Sequence, residues 1–138
     1  MSETTEPLLC FEEQKPIVIG TIRFASVLSA ANVAEFGIEA LEFVDKNPGL
    51  NLLLNFEKVD YLSSAVLTEL LRIKKTIDDS KGRLRLCAIS DTIQEVFQIT
   101  NLDKVFTLDS GNLEVAKKRF LRTIEVATEE AAWKAPGT

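Results

Sequence analysis

The feature that most restricts the fold is a short, continuous apolar run near the middle of the chain, residues 50–56. Its sequence is Leu-Asn-Leu-Leu-Leu-Asn-Phe, and Asn47-Pro48-Gly49 stands directly before it. A helix must end at this point, because proline cannot continue a helix and glycine suits the turn that follows one. A run of strand length that is apolar on both faces predicts a central strand of a parallel sheet, with helices on both sides.

The preceding segment, from Ser29 to Lys46, has the period of a helix. Its polar side chains recur at steps of three and four residues, and the positions between them are mostly apolar. The polar positions are Asn32, Glu35, Glu39, Glu42 and Lys46. This pattern predicts a helix that begins with Ser29 as its N-cap. Its narrow polar stripe would face solvent or a basic partner, and the rest of its circumference would be buried.

Two strand-like runs precede that helix, at residues 8–11 and 17–22. The second run is rich in β-branched residues, and the polar link between the runs predicts a hairpin. The two cysteines, Cys10 and Cys87, are far apart in sequence and form no Cys-x-x-Cys pair. We interpret both as small buried apolar residues in a reducing compartment.

The rest of the chain alternates between helical and strand-like periods. It predicts a helix over residues 63–80, a strand over 83–89, a short helix over 91–100, a strand over 105–108 and a last helix from about residue 113. In the first of these helices Glu69 faces away from the apolar row. Residues 91–94 resemble a capping box. Beyond Thr128 the chain becomes polar, which places Trp133 in a tail.

The resulting order, β-β-α-β-α-β-α-β-α, predicts an α/β fold with a mixed, mostly parallel sheet flanked by helices. A chain of 138 residues has the length of one domain. We expect an N-terminal tail over residues 1–7, the domain over residues 8–127 and a C-terminal tail over residues 128–138.

Several functions are disfavoured by residues that the sequence lacks. It contains no histidine, no metal-binding motif and no glycine-rich phosphate loop, so we expect neither an enzyme nor a bound cofactor. The net charge of -5 argues against binding to nucleic acid. No apolar stretch is long enough to insert into a membrane, and the acidic N-terminus does not resemble a secretory signal. We therefore expect a cytoplasmic protein.

One polar cluster, Asp60-Tyr61-Leu62-Ser63-Ser64-Ala65, lies between a predicted strand and the helix after it. Open α/β sheets place their binding sites at this carboxyl end of a strand. Serine is also a favoured helix N-cap, so Ser63 and Ser64 are explained by capping alone as well as by function.

The residues around this cluster resemble those of STAS domains, which occur in anti-sigma factor antagonists and sulfate transporters. The resemblance is carried by three segments and spans about residues 8 to 125. The segments are Leu-Leu-Asn-Phe-Glu-Lys-Val-Asp-Tyr-Leu-Ser-Ser-Ala-Val-Leu at residues 53–67, Lys-Gly-Arg-Leu-Arg-Leu-Cys at 81–87 and Val-Phe-Gln-Ile-Thr-Asn-Leu at 96–102.

The resemblance implies a regulatory protein-binding module that acts in transcription. Ser64 would be the phosphoacceptor, with Ser63 as the alternative. The kinase would be an anti-sigma factor that the unphosphorylated protein binds, and a phosphatase is a further candidate partner. The implied partner-binding residues are Ser26, Asp60, Tyr61, Ser63, Ser64 and Ala65.

This chain departs from the family pattern at several positions. Ser63 replaces an aspartate, Ala65 and Val66 stand where serine or threonine and then glycine are usual, and residues 23–26 replace a Gly-x-Leu/Ile-Asp loop. Two other functions therefore stay open. The chain would be either a STAS adaptor that is not phosphorylated, in a signalling scaffold or a lipid transporter, or a sensor of a small ligand.

Overall fold

The strands and helices follow the predicted order. The computed structural model describes residues 8–23, 33–109 and 111–133, with side chains as far as residue 130. The strands are β1 (Leu9–Gln14), β2 (Ile17–Ile22), β3 (Asn51–Asn55), β4 (Arg83–Cys87) and β5 (Thr107–Leu108). The α-helices are α1 (Val33–Lys46), α2 (Ser64–Asp79), α3 (Asp91–Ile99) and α4 (Leu113–Trp133), and a 3-10 turn at Leu102–Lys104 precedes β5.

The five strands form one sheet in the order β1-β2-β3-β4-β5. Strand β1 pairs antiparallel with β2, from Leu9 opposite Ile22 to Gln14 opposite Ile17. The other neighbours pair in parallel. The predicted hairpin, the mixed sheet and the central position of the run at residues 50–56 are therefore confirmed.

Helices cover both faces of the sheet, because the side chains of β3 alternate between two apolar clusters. Leu52 and Leu54 pack on one face with residues from α1, α2 and α3. Leu53 packs on the other face with Ala116, Phe120 and Ile124 of α4. All three leucines of β3 have no exposed surface. An apolar run without alternation is what a strand covered on both faces requires.

Helices α1 and α2 approach each other closely at Gly37. A methyl group built on Gly37 would lie 2.3 Å from Oε1 of Glu69. The Glu69 side chain is only 16% exposed, so the prediction that it faces away into solvent is wrong. The prediction of a nearly buried circumference for α1 is wrong as well, since Ile38 is 58% exposed. The predicted N-cap Ser29 lies outside the described residues.

Glu39 does not belong to a solvated stripe. Its carboxylate accepts hydrogen bonds from the Leu8 amide at 2.9 and 3.0 Å and from the Leu9 amide at 3.0 Å. The physical reason is the position of β1 at the edge of the sheet, where outward-facing amides lack a neighbouring strand. Glu39 thus joins the start of β1 to the middle of α1.

The two cysteines differ in their surroundings. Cys87 lies in the interior strand β4 and is buried, whereas Cys10 is exposed. The prediction that both are buried is therefore wrong for Cys10, which lies on the edge strand β1. No pairing between the two thiols is formed in the structure.

Several element boundaries differ from the predicted ones, and three of these differences have a clear physical reason. Helix α4 continues through Thr128 to Trp133, because Glu129, Glu130 and two alanines are good helix formers even when exposed. The N-cap of α3 is Ser90, whose Oγ accepts a hydrogen bond from the Ile93 amide at 3.3 Å, and not the predicted start at residue 91. Strand β5 begins only at Thr107, because the amides of Val105 and Phe106 still donate to the Leu102 carbonyl of the preceding 3-10 turn.

Among the described helices, none combines the length and the apolar character that crossing a membrane requires.

Candidate functional site

The loop that leaves β3 is anchored at its first step by Asn55. Asn55 is the only buried polar residue among those described, with 2% of its surface exposed. Its Oδ1 accepts a hydrogen bond from the Glu57 amide at 3.1 Å, which is the bond of an Asx turn. Its Nδ2 donates to Thr21 Oγ1 at 3.5 Å and to Glu57 Oε1 at 3.4 Å. Asn55 therefore sets the direction in which the chain leaves the sheet.

Four apolar side chains then hold the loop against the core. These are Phe56, Val59, Leu62 and Val66, all at most 7% exposed. The Phe56 amide donates to the Cys87 carbonyl at 3.0 Å, and the Val59 amide donates to the Phe56 carbonyl at 2.9 Å. Because the buried positions are three or four residues apart, the residues between them must face outward.

The outward residues include most of the predicted site residues. Asp60, Ser64 and Ala65 are exposed, and Tyr61 is 66% exposed although it is aromatic. The loop thus presents a continuous surface from Asp60 to Ala65, interrupted only by the buried Leu62. The remaining predicted binding residue, Ser26, lies outside the described residues.

The two serines have different roles in the structure. Ser63 is the N-cap of α2, with φ −90° and ψ 165°, and its Oγ accepts a hydrogen bond from the Val66 amide at 3.4 Å. Ser64 is the first residue of the helix, and its hydroxyl makes no hydrogen bond with any described residue. Helix capping therefore accounts for the hydroxyl of Ser63. The hydroxyl of Ser64 makes no contact that stabilises the described structure.

A family model for the STAS domain matches residues 11–116. The chain belongs to the STAS domain family. Its sheet order and helix positions also agree with those of solved STAS proteins. The resemblance stated from the sequence is therefore confirmed.

Named relatives of this STAS domain include anti-sigma factor antagonists. BtrV of Bordetella bronchiseptica, by its name a candidate anti-sigma factor antagonist, is 31% identical over 94 residues, which are 68% of this chain and 79% of BtrV. An anti-sigma-factor antagonist (STAS) domain protein from Planctomyces limnophilus has a TM-score of 0.73 at 19% identity, covering 82% of this chain and 97% of its own.

SpoIIAA from Bacillus has been solved in an unphosphorylated and a phosphorylated form. The phosphorylated form has a TM-score of 0.63 at 19% identity and covers 80% of this STAS domain and 97% of SpoIIAA. At such identities the similarity to solved structures shows the fold alone.

The electrostatics at the start of α2 suit an added anion. Helix α2 has no acidic residue in its first turn, so nothing there offsets the positive end of its dipole. Ser64 lies at that end with its hydroxyl exposed. A phosphate on Ser64 would meet first-turn amides and a favourable helix dipole.

Neither a cluster of metal ligands nor an activated thiol is found at this site among the described residues. Among the described residues no three metal-ligating side chains come together. Behind the loop, burial raises the pKa of the Cys87 thiol to about 12, and the carboxylates of Asp109 and Glu57 add to that rise. Cys87 therefore stays protonated at neutral pH and is not an activated nucleophile.

Sequence reasoning missed Asn55 as a positioning residue. Its signal was the presence of an amide side chain at the end of an otherwise apolar strand. Such a residue is usually assigned to the turn, and only the structure shows that it is buried and bonded on both sides.

Proposed function

We propose that this STAS domain is an anti-sigma factor antagonist whose binding to an anti-sigma factor is switched off by phosphorylation of Ser64. The observation that carries the proposal is the division between the two serines. Ser63 caps the helix, and the exposed Ser64 hydroxyl has no structural partner among the described residues. The phosphorylated form of SpoIIAA and the name of BtrV support it.

The switch follows from charge and desolvation. Phosphate adds about −1.5 to −2 charge at neutral pH, together with three acceptor oxygens. The fold tolerates this charge because Ser64 is exposed and lies at the positive end of α2. A partner docked over Asp60, Tyr61 and Ala65 has to bury the phosphate, and burying an unpaired charge is costly. Phosphorylation thus weakens binding and leaves the domain folded.

The partners in this scheme are a kinase-like anti-sigma factor and a phosphatase that restores Ser64. Tyr61 would be the main apolar contact, since an exposed aromatic side chain at the centre of a polar surface is typical of a binding hot spot. Ser26 remains a candidate binding residue from the sequence, and it lies outside the described residues. We place the reaction in the cytoplasm, in agreement with cysteines that are free in the described structure.

The test combines the purified chain with its kinase-like anti-sigma factor and ATP. Intact mass and peptide sequencing should find one phosphate on Ser64, and phosphorylated chain should bind the anti-sigma factor at least ~10-fold more weakly, which is about 1.4 kcal/mol. Ser64→Glu should bind weakly and Ser64→Ala should bind as the wild type does.

Ser63→Ala is the matched control, because it removes the neighbouring hydroxyl and leaves the acceptor in place. It should still be phosphorylated at Ser64. Phosphate found only on Ser63 would contradict the assignment. Equal affinity of the wild type, Ser64→Ala and Ser64→Glu, with no phosphate on either serine, would replace the switch by the adaptor function.

A further inference from the structure

The outer side of β1 is an edge of the sheet. Strand β1 is first in the sheet order, and its strand neighbour among the described residues is β2 alone. The Leu8 carbonyl accepts from the Arg23 amide at 3.0 Å, whereas the Leu9 amide donates to a side chain of α1. Because bonding directions alternate along an antiparallel strand, the main-chain groups of Phe11 and Glu13 point outward as the Leu9 amide does.

These outward groups have no hydrogen-bond partner among the described residues. Glu39 occupies the amides of Leu8 and Leu9 at the start of the strand. Two amides and two carbonyls, those of Phe11 and Glu13, follow without such an acceptor or donor. Glu13 is exposed and Phe11 is partly exposed. Unpaired amides and carbonyls along an edge strand are a template for pairing with another chain.

This side of the molecule carries the negative charge of the chain. Strand β1 and helix α1 together contain six acidic side chains and one basic side chain, a net charge of -5. That equals the net charge of all 138 residues, so the rest of the chain is neutral in sum. Lys15 follows in the turn beyond β1. A partner segment drawn to this edge is therefore basic.

The carboxylates lie on both faces of the edge. Glu12 and Glu13 are neighbours in β1, so their side chains point to opposite faces of the sheet. On α1, Glu35 and Glu42 lie on the same side of the helix as Glu39, the residue that binds β1. Glu12, Glu13, Glu35 and Glu42 are exposed and form no ion pair with a described residue. A cationic side chain on either face of an added strand would meet one of them.

We propose that the β1 edge, formed by the outward main chain of Phe11 and Glu13, binds an extended basic segment of a partner protein by strand addition. The main chain of the segment pairs with these two residues. Its lysine or arginine side chains lie beside Glu12 and Glu13 and towards the exposed glutamates of α1. Strand addition takes its affinity from main-chain hydrogen bonds and its specificity from alternate side chains.

The same charges disfavour the other occupants of an edge strand. If a second copy of the chain paired antiparallel with Phe11 opposite Glu13, the two Glu12 side chains would be directly opposite each other. Like charges in that position are destabilising. A nucleic acid or an anionic lipid surface would be repelled by the same carboxylates, and neither has amides and carbonyls to continue a sheet.

The β1 edge is separate from the proposed switch. Ser64 follows β3, which lies two strands from β1, about 10 Å at the spacing of neighbouring strands. Neither Phe11 nor Glu13 belongs to the loop that precedes α2. Binding at the edge does not require phosphorylation, so either proposal can fail without the other.

The test uses the full chain and a fluorescent, end-capped octapeptide of alternating valine and lysine. Fluorescence anisotropy should show saturable binding, at least ~10-fold stronger than for the valine–glutamate peptide of the same length. Glu13→Lys should weaken binding by at least ~10-fold, whereas Glu95→Lys, the same charge change at an exposed site on α3, should leave it unchanged. Thermal unfolding of both variants shows whether they are folded.

Two measurements separate strand addition from simple attraction between charges. Amide hydrogen exchange at Phe11 and Glu13 should slow when the valine–lysine peptide binds, while exchange at Leu9, whose amide is already bonded to Glu39, should not change. N-methylation of every peptide amide, which keeps the charges, should abolish binding.

The proposal is overturned if the valine–lysine peptide does not bind, if the N-methylated peptide binds equally well, or if exchange at Phe11 and Glu13 is unchanged. It is also overturned if sedimentation of the free chain shows a dimer in which these two amides are already protected. That result would make a second copy the occupant of the β1 edge.

Discussion

The carboxylate of Asp109 lies 3.0 Å from the guanidinium group of Arg85, where β5 ends and the chain turns towards α4. Arg85 also donates to Thr123 Oγ1 at 3.0 Å and lies 5.2 Å from the centre of the Phe120 ring. One arginine of β4 therefore contacts both the loop before α4 and the helix itself. These contacts hold α4 against the sheet. Among the described residues, α4 is the helix on the face that contains Leu53.

Asp109→Ala should destabilise the domain by about 2 to 4 kcal/mol, because it leaves a largely buried guanidinium without its charge partner. The side chains of Arg85 and Asp109 are 19% and 8% exposed. The control is Asp79→Ala, which breaks a pair whose side chains are 77% and 66% exposed and should cost at most about 0.5 kcal/mol. Urea unfolding measures both, and equal costs would contradict this account of the cluster.

Ser63→Ala should lower the free energy of unfolding by about 1 kcal/mol, because it removes the N-cap of α2. Ser64→Ala should change it by no more than about 0.5 kcal/mol, since Ser64 is exposed and alanine is the better helix former. The comparison needs only chemical unfolding of the two single variants. If Ser64→Ala costs more than Ser63→Ala, the capping roles described above are wrong.

The two thiols should react at very different rates. In the native protein a disulfide reagent at pH 8 should label Cys10 rapidly, because Cys10 is exposed, and should reach the buried Cys87 only when the domain opens. Denatured chain should take up two equivalents at once. Rapid labelling of Cys87 in the native Cys10→Ala variant would contradict its burial.

Cys87 should also make the fold sensitive to alkali. Its pKa is raised to about 12 in the folded state, whereas an unfolded cysteine ionises near pH 8.5. The folded protein therefore binds the proton of the Cys87 thiol more tightly than the unfolded chain does. The resulting contribution to the free energy of unfolding is complete below about pH 8.5 and is lost as the pH rises towards 12. Unfolding free energies measured from pH 8 to 11 should fall more steeply for the wild type than for Cys87→Ala. Parallel curves would exclude this contribution.

Gly82→Ala should destabilise the domain by more than about 2 kcal/mol. A methyl group at Gly82 would lie 2.2 Å from the main-chain oxygen of Leu50, which cannot move without disturbing β3. Gly37→Ala is the contrasting variant, because the atom it meets is the flexible end of Glu69. The gain in helix propensity offsets part of that contact, so its cost should stay within about 1 kcal/mol. Thermal unfolding distinguishes the two, and a similar loss in both would refute the argument.

Glu39→Ala should destabilise the start of β1 by about 1 to 2 kcal/mol, because the amides of Leu8 and Leu9 lose their common acceptor. Amide exchange at these two residues should become faster. Glu42→Ala, at an exposed position of the same helix, should have no effect beyond about 0.5 kcal/mol. Unchanged exchange at Leu8 and Leu9 in Glu39→Ala would show that the carboxylate does not hold this strand.

The order of strands and helices could be predicted because the spacing of apolar residues in each segment is typical of either a helix or a strand. The run at residues 50–56 had to be central, since a strand with Leu52 and Leu53 both apolar needs cover on both faces. The loop from Asp60 to Ala65 could be predicted as a surface feature for the same reason. Its polar positions follow a buried strand and precede an amphipathic helix.

What could not be predicted depends on contacts between elements distant in sequence. Glu39 and Glu69 have the spacing of solvated helix positions, yet one binds the amides of β1 and the other packs beside Gly37. Cys10 was misplaced because local sequence does not reveal which strand is at the edge. The end of α4 was misplaced because glutamates and alanines continue a helix without any apolar pattern.

Because Ser63 caps α2 and Ser64 does not, the two positions differ in how freely they can be substituted during evolution. A substitution at residue 64 or 65 alters the outward chemistry of the loop without removing the cap that begins α2. Substitutions at residues 64 and 65 can therefore change the exposed side chains of this loop with little loss of folding stability, provided that residue 63 keeps a side chain able to cap the helix. Under the proposed function, such substitutions would change which partner the loop binds while the fold is retained.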